Sequence, residues 1–147
     1  MSKEVAKIKL LREGAQVPTR GSEKAAGWDI YSCTDGDVLI KPGTMVKVPT
    51  GIAVTPPVGY FGAIFARSGL STKQGLRPAN CVGVCDEDYT GEYIVALYND
   101  SDEIQYVQSG DKIAQLVFLP YIDVNFKIVD ELNLTERGDG GFGSTGM

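Results

Sequence analysis

Turn signals interrupt this chain too often for long helices. Asp35-Gly36, Pro42-Gly43, Pro49-Thr50-Gly51, Pro56-Pro57, Thr90-Gly91, Asn99-Asp100 and Ser109-Gly110 stand between short runs rich in β-branched and aromatic residues. That pattern predicts strands over 5–11, 28–33, 38–41, 45–48, 52–55, 60–66, 81–85, 93–98, 104–107, 112–119 and 126–129. Many short strands so spaced imply an all-β chain, an antiparallel barrel or a two-sheet sandwich. One short helix fits around 70–73, entered through Arg67-Ser68-Gly69 and stopped by Gly75. Its start reads either as an anion seat, with unpaired amides beside Arg67, or as a plain Ser N-cap.

A length of 147 residues suits one domain, 1–147, with 43% hydrophobic and 22% charged residues as expected of a globular fold. The net charge of −5 and the lack of a basic run argue against a nucleic-acid polymer as partner. No basic leader with an apolar core and no apolar run of about 18 residues is present, so no membrane partner and a cytoplasmic location are expected. Cys81 and Cys85, four apart in an expected strand, lie about 13 Å from each other, too far for a disulfide, and read as small buried side chains. Histidine is absent altogether. That removes Ser-His and Cys-His pairs and His-ligated zinc, leaving a carboxylate, Lys, Tyr or Cys as any base and oxygen ligands for any metal.

The segment from Asn80 to Asn99 reads as a hairpin, with arms 81–85 and 93–98 joined by the acidic turn 86–91. The turn is either an ordinary solvated one or a set of carboxylates presented to a ligand. From Asp130 onward no strand pattern persists, and residues 137–146 hold five glycines among Ser, Thr, Asp, Arg and Phe. This tail lacks the Gly-Lys-Ser/Thr ending of a Walker loop. Arg137 suits a phosphate and Phe142 a base, so 130–147 reads as a flexible arm that orders over a highly charged ligand.

Five blocks in a fixed order carry a resemblance. They are Ala25-Ala26-Gly27-Trp28-Asp29-Ile30-Tyr31-Ser32, Ala66-Arg67-Ser68-Gly69-Leu70, Gly83-Val84-Cys85-Asp86-Glu87-Asp88-Tyr89-Thr90-Gly91-Glu92, Gly110-Asp111-Lys112-Ile113-Ala114-Gln115-Leu116, and the glycine-rich tail. Together they resemble the five motifs of the trimeric deoxyuridine triphosphatases, the dUTPase family. The resemblance implies a β jelly-roll homotrimer with sites at subunit junctions, each closed by a neighbour's tail. It implies hydrolysis of dUTP to dUMP and pyrophosphate, with Mg2+ on the triphosphate. By motif position, Asp86 would orient and deprotonate the attacking water. Asn80 and the backbone of Val82, Gly83 and Val84 would read uracil, and Tyr89 would pack on the deoxyribose. Ser68, Gly69 and Gln115, with Arg67 beside them, would hold the α- and β-phosphates. Arg137, Gly143, Ser144 and Thr145 would take the γ end while Phe142 covers the base. Asp29 would support the metal indirectly, through water, or else the Arg67 network; Lys112 reads as well as a solvated lysine and stays off the site.

Three positions depart from the family pattern: Trp28 for the usual Tyr, Cys85 for the usual Ile, and Asp139 where a neutral residue is frequent. Two alternatives stand beside dUTP hydrolysis. One is a deoxycytidine triphosphate deaminase relative, disfavoured because the arm 93–98 carries no acid; the other is a dUTP-sensing interaction module on the same fold.

Overall fold

A computed structural model of the protein describes residues 3–146. Two four-stranded antiparallel sheets and a two-stranded ribbon make up the fold, in the jelly-roll manner. The first sheet runs β1 (Lys7–Leu10), β4 (Met45–Thr55), β8 (Glu92–Asn99), β6 (Leu76–Pro78). The second runs β2 (Trp28–Tyr31), β10 (Lys112–Pro120), β5 (Tyr60–Phe65), β7 (Gly83–Cys85), and the ribbon pairs β3 (Val38–Ile40) with β9 (Gln105–Val107). No helix among the described residues is long and apolar enough to cross a membrane.

The core forms where the inward faces meet. On β8 every second residue, Tyr93, Val95, Leu97 and Asn99, is buried, the two-residue period of a strand with one wet face. Ile30, Ile64, Leu116 and Val48 come in from the other strands. Asn99 is the buried polar group at this layer and is fully engaged. Its Nδ2 donates to the Ile40 and Glu103 carbonyls, and its Oδ1 accepts from the Ser101 amide and hydroxyl.

Six expectations change. The Pro49-Thr50-Gly51 turn does not end a strand: β4 runs through it as a bulge, with the register to β8 shifting between Pro49 and Ala53. Leu76–Pro78 is a strand that its single proline and short length concealed. Residues 126–129 form no strand; Phe126 and Ile128 stand fully exposed, because an isolated apolar strand has nothing in its own chain to pair with. The expected hairpin of 80–99 is not a paired hairpin: β7 bonds to β5 and β8 to β4 and β6, so the turn 86–91 arches from one sheet to the other.

Helix α1 (Ser68–Gln74) follows β5, starting two residues earlier than expected, with Arg67 rather than Ser68 at the N-cap and no side-chain cap bond. Gly75 ends it in the left-handed region at φ +70, where its amide returns to the helix carbonyls. Cys81, expected to be buried, is exposed.

Candidate active site

Because β7 and β8 belong to different sheets, the arch between them opens a cleft. It measures about 230 Å3 and is lined by Asn80, Gly83, Val84, Cys85, Asp86, Tyr89 and Tyr93, among others. Whole-ligand pockets start near 300 Å3, so this one is sized for a base and its sugar, with charged groups left outside. Its inner wall is β7, the edge of its sheet, which leaves one side of its N–H and C=O groups free of ladder bonds. Gly83 permits the close approach: a Cβ there would sit 3.2 Å from the Cβ of Ile64 and 3.4 Å from Nδ2 of Asn80.

Ahead of β7 the chain makes a three-residue γ-turn. The Val82 amide donates to the Asn80 carbonyl at 2.6 Å, and Cys81 between them sits at φ +62. Non-glycine residues rarely adopt this form, and such strain is held only where surrounding structure enforces it. Here the Cys81 amide bonds the Pro78 carbonyl and the Ala79 amide bonds the Ala96 carbonyl, fixing both ends.

Asp86 stands exposed at the mouth, where a turn closed by the Tyr89 amide on its carbonyl (3.1 Å) begins. It also borders a second, open groove of about 770 Å3 with Phe61, Glu87, Asp88 and Tyr121. Tyr89 is half-exposed and lies over Gly91; its hydroxyl donates to the Glu92 carbonyl at 2.8 Å and its ring stacks on Tyr93 at 6.3 Å. Cys85 is buried, and burial pushes its thiol up to about 11, so it stays neutral and unreactive near pH 7.

A second cluster forms on the other sheet edge. Gln115 of β10 stands opposite Asp29 of β2 on one side and Phe65 of β5 on the other. Asp29 accepts from Arg67 Nε at 2.9 Å through Oδ1 and meets Lys112 Nζ at 3.4 Å through Oδ2. Both oxygens of this half-buried carboxylate therefore face cations, and it holds the guanidinium at the entrance of α1. Gln115 Nε2 donates to the Ala66 carbonyl at 2.8 Å, and its side chain passes over Gly27, where any Cβ would sit 2.1 Å from Oε1. Ser68 and Gly69 are exposed next to this cluster. Among the described residues no group of three or more Asp, Glu, Cys or His side chains converges on a metal site.

The structure thus brings the candidates together in two sets, Asn80 to Tyr89 and Asp29, Arg67, Ser68, Gly69 and Gln115, with Asp86 and Arg67 towards opposite ends of β5. Cys85 pairs with Gly62, which puts Asp86 opposite Phe61. Arg67 follows further along the same chain direction, so at ~3.3 Å per residue the two backbone positions are about 20 Å apart. The tail joins neither set. Arg137 Nε bonds the Gly140 carbonyl at 2.8 Å, Phe142 is fully exposed at φ +49, and Gly143, Ser144 and Thr145 lie in exposed turns.

The profile of the dUTPase family matches residues 13–146, nearly the whole chain. The chain belongs to the dUTPase family. Among curated dUTPases, the deoxyuridine 5'-triphosphate nucleotidohydrolase of Syntrophotalea carbinolica is 46% identical over 96% of both chains. That of Kluyveromyces lactis is 43% identical over 95% of this chain and 93% of its own. A dUTPase mutant of Staphylococcus bacteriophage 80alpha, solved with dUpNHpp, superposes with a TM-score of 0.89 at 29% identity, covering 99% of this chain and all of that one. A mutant dUTPase of phage phi11 of S. aureus, described for its coordination of a structural Mg(II) ion, gives 0.76 at 29% identity over 86% of this chain and 97% of its own.

Two contributors escaped the sequence reading of this dUTPase. Lys112, set aside as solvated, contacts Asp29, and Glu92 lines the cleft while bound to Arg12 at 2.7 Å. Arg12 is 80 residues away in sequence, and nothing local in either segment signals the pair.

Proposed function

We propose that this chain hydrolyses dUTP to dUMP and pyrophosphate. The observation that carries the proposal is a base-sized cleft, walled by an edge strand, with the carboxylate of Asp86 at its mouth in a member of the dUTPase family. Uracil enters beside β7, where Asn80 and those backbone groups of Val82, Gly83 and Val84 that the γ-turn and β5 leave unbonded meet its hydrogen-bonding edge. Cytosine is rejected because its amino donor would face another donor, and thymine because the cleft has no room for its methyl. Tyr89 packs on the deoxyribose.

Asp86 orients a water and takes its proton as the water attacks phosphorus. No protein nucleophile is required, since phosphoryl transfer depends chiefly on positioning and charge neutralisation. Arg67, Ser68, Gly69 and Gln115 hold the phosphates; Arg137, Gly143, Ser144 and Thr145 close on the γ end with Phe142 over the base. Mg2+ would be carried by the triphosphate rather than by a site built from this chain's carboxylates, and would supply charge neutralisation there. Asp29 does not fit as a direct ligand, because Arg67 and Lys112 occupy both its oxygens; its part is to hold Arg67.

A site of this kind is complete only in a homo-oligomer, and we assign a homotrimer. The backbone positions of Asp86 and Arg67 lie about 20 Å apart and the guanidinium is directed to Asp29, on the side of β5 away from β7, so we read Asp86 and the Arg67 cluster as acting on one substrate from different copies. The arm supports this reading. Ile122, Val124, Phe126 and Ile128 alternate in the two-residue period of a strand, yet all are exposed in the single chain, as expected of a segment that packs on a neighbour.

The deaminase alternative meets a further obstacle. Glu92, the acid at the start of β8, is held below the usual carboxylate range by Arg12, the wrong direction for a group that must take up and release a proton near neutral pH. Incubation with dUTP and Mg2+ tests the proposal. Equimolar dUMP and pyrophosphate support it. Tight dUTP binding without turnover would favour a sensor, and ammonia release from dCTP a deaminase.

A further inference from the structure

The ring of Tyr89 is held by a chain of contacts that begins outside the cleft. The β4–β8 ladder is interrupted at the bulge between Pro49 and Ala53, so the first two residues of β8, Glu92 and Tyr93, hang on side chains as well as on regular pairing. The Thr50 hydroxyl donates to the Tyr93 carbonyl. The Gly51 amide, freed by the bulge and at φ +72, donates to Glu92 Oε2 at 3.3 Å.

Arg12, from the loop after β1, grips the same carboxylate with both terminal nitrogens, at 2.7 and 3.0 Å, and ties it to the Cys33 carbonyl at 3.3 Å. A planar fork on two oxygens fixes orientation as well as position.

What rests on Glu92 and Tyr93 is Tyr89. Its hydroxyl donates to the Glu92 carbonyl, and its ring stacks nearly parallel, at 16°, on Tyr93. It also lies so close over Gly91 that a Cβ there would be 2.6 to 2.9 Å from its hydroxyl, Cζ and Cε2 atoms. Two of these three supports therefore belong to the residues that the bulge leaves dependent on Arg12, Gly51 and Thr50.

We propose that Arg12 and Glu92 are positioning residues for Tyr89, and that this ion pair sets how strictly the cleft distinguishes a deoxyribose from a ribose nucleotide. The inference rests on the reading of Tyr89 as the sugar-facing residue and extends it to the pair that holds the supports of its ring. A 2'-hydroxyl is small, and excluding it demands a wall that does not yield. A ring free to tilt admits it.

The test is steady-state kinetics on dUTP and UTP for wild type, R12M, R12K, E92Q and Y89A, each with a thermal melt. R12M and E92Q are expected to lower the dUTP-over-UTP ratio of kcat/KM about three- to tenfold, the range of a partly exposed bidentate pair, chiefly through a higher kcat/KM for UTP. R12K keeps the charge but not the fork and should fall between wild type and R12M. If Y89A collapses the ratio while R12M, R12K and E92Q melt lower but keep the wild-type ratio, the pair is merely structural and the inference is overturned. If Y89A itself leaves the ratio unchanged, the sugar-facing reading fails and the inference falls with it.

Discussion

Gly27→Ala puts the phosphate-holding role of Gln115 under a clean test. The new Cβ would meet Gln115 Oε1 at 2.1 Å, closer than real Cβ atoms come, and Cδ at 3.0 Å, so the side chain must shift. Backbone φ at Gly27 is not in the left-handed region, so the substitution strains nothing locally. Relief must come from the far end of Gln115, which gives up its bond from Nε2 to the Ala66 carbonyl and swings away from the mouth of α1. Loss of one neutral hydrogen bond costs about 1 kcal/mol, and the melting temperature should fall by roughly 2–5 °C. Turnover should suffer more. An amide bond to a charged phosphate is worth about 1.5–3 kcal/mol, so kcat/KM for dUTP should drop about 10- to 100-fold. Gln115→Ala should match that loss, and the double variant should add little to either, since both remove the same contact. A Gly27→Ala protein that folds and turns over dUTP within twofold of wild type would refute the placement of Gln115 on the phosphates. A protein that fails to fold would refute the claim that the clash is absorbed by a flexible side chain.

Asp86→Asn preserves shape and removes the proposed base; dUTP binding should persist while kcat falls about 10²- to 10⁴-fold, measured as pyrophosphate release. Deleting residues 137–147 should abolish turnover and leave the oligomer intact by light scattering, because the described part of the tail, 137–146, bonds only within itself and to Thr135. Glu92 links stability to acid. Its carboxyl lies below its unfolded value near 4.3 when folded, so its contribution is present above that pH and fades as pH drops through the folded value. The melting temperature of wild type should therefore fall more steeply than that of Glu92→Gln between about pH 5 and pH 3, and parallel curves would contradict the assignment.

The strand pattern was legible because turn residues and alternation are local signals. Trp28, Tyr60 and Lys112 mark strand starts that the structure keeps. What failed depended on pairing at a distance. A stretch like Pro49-Thr50-Gly51 ends a strand or bulges it according to whether the strand continues beyond, and that is decided by Glu92, Tyr93 and Arg12 elsewhere in the chain. The segment 80–99 reads as a hairpin in one dimension, and only the competing claims of β5 on β7 and of β4 on β8 turn it into an arch.

The candidate site was legible as motifs and not as geometry. Asp29 and Arg67 each stood in a motif, but their contact depends on β2 and β5 flanking β10. Lys112 reads as an exposed lysine until the register sets it beside Asp29. The γ-turn at Cys81 has no sequence mark, since the residue there is neither Gly nor Asn.

Subunit complementation gives the most direct test of the central claim, that the uracil-side and phosphate-side clusters act in pairs drawn from different copies. Asp86→Asn and Arg67→Met proteins, each inactive alone, are unfolded together, refolded as a mixture and assayed with dUTP and Mg2+. Random trimers should place both intact clusters at roughly a quarter of the sites and recover activity in that proportion. A refolded mixture as inactive as its parents, with mixed trimers shown by native mass spectrometry, would contradict the account.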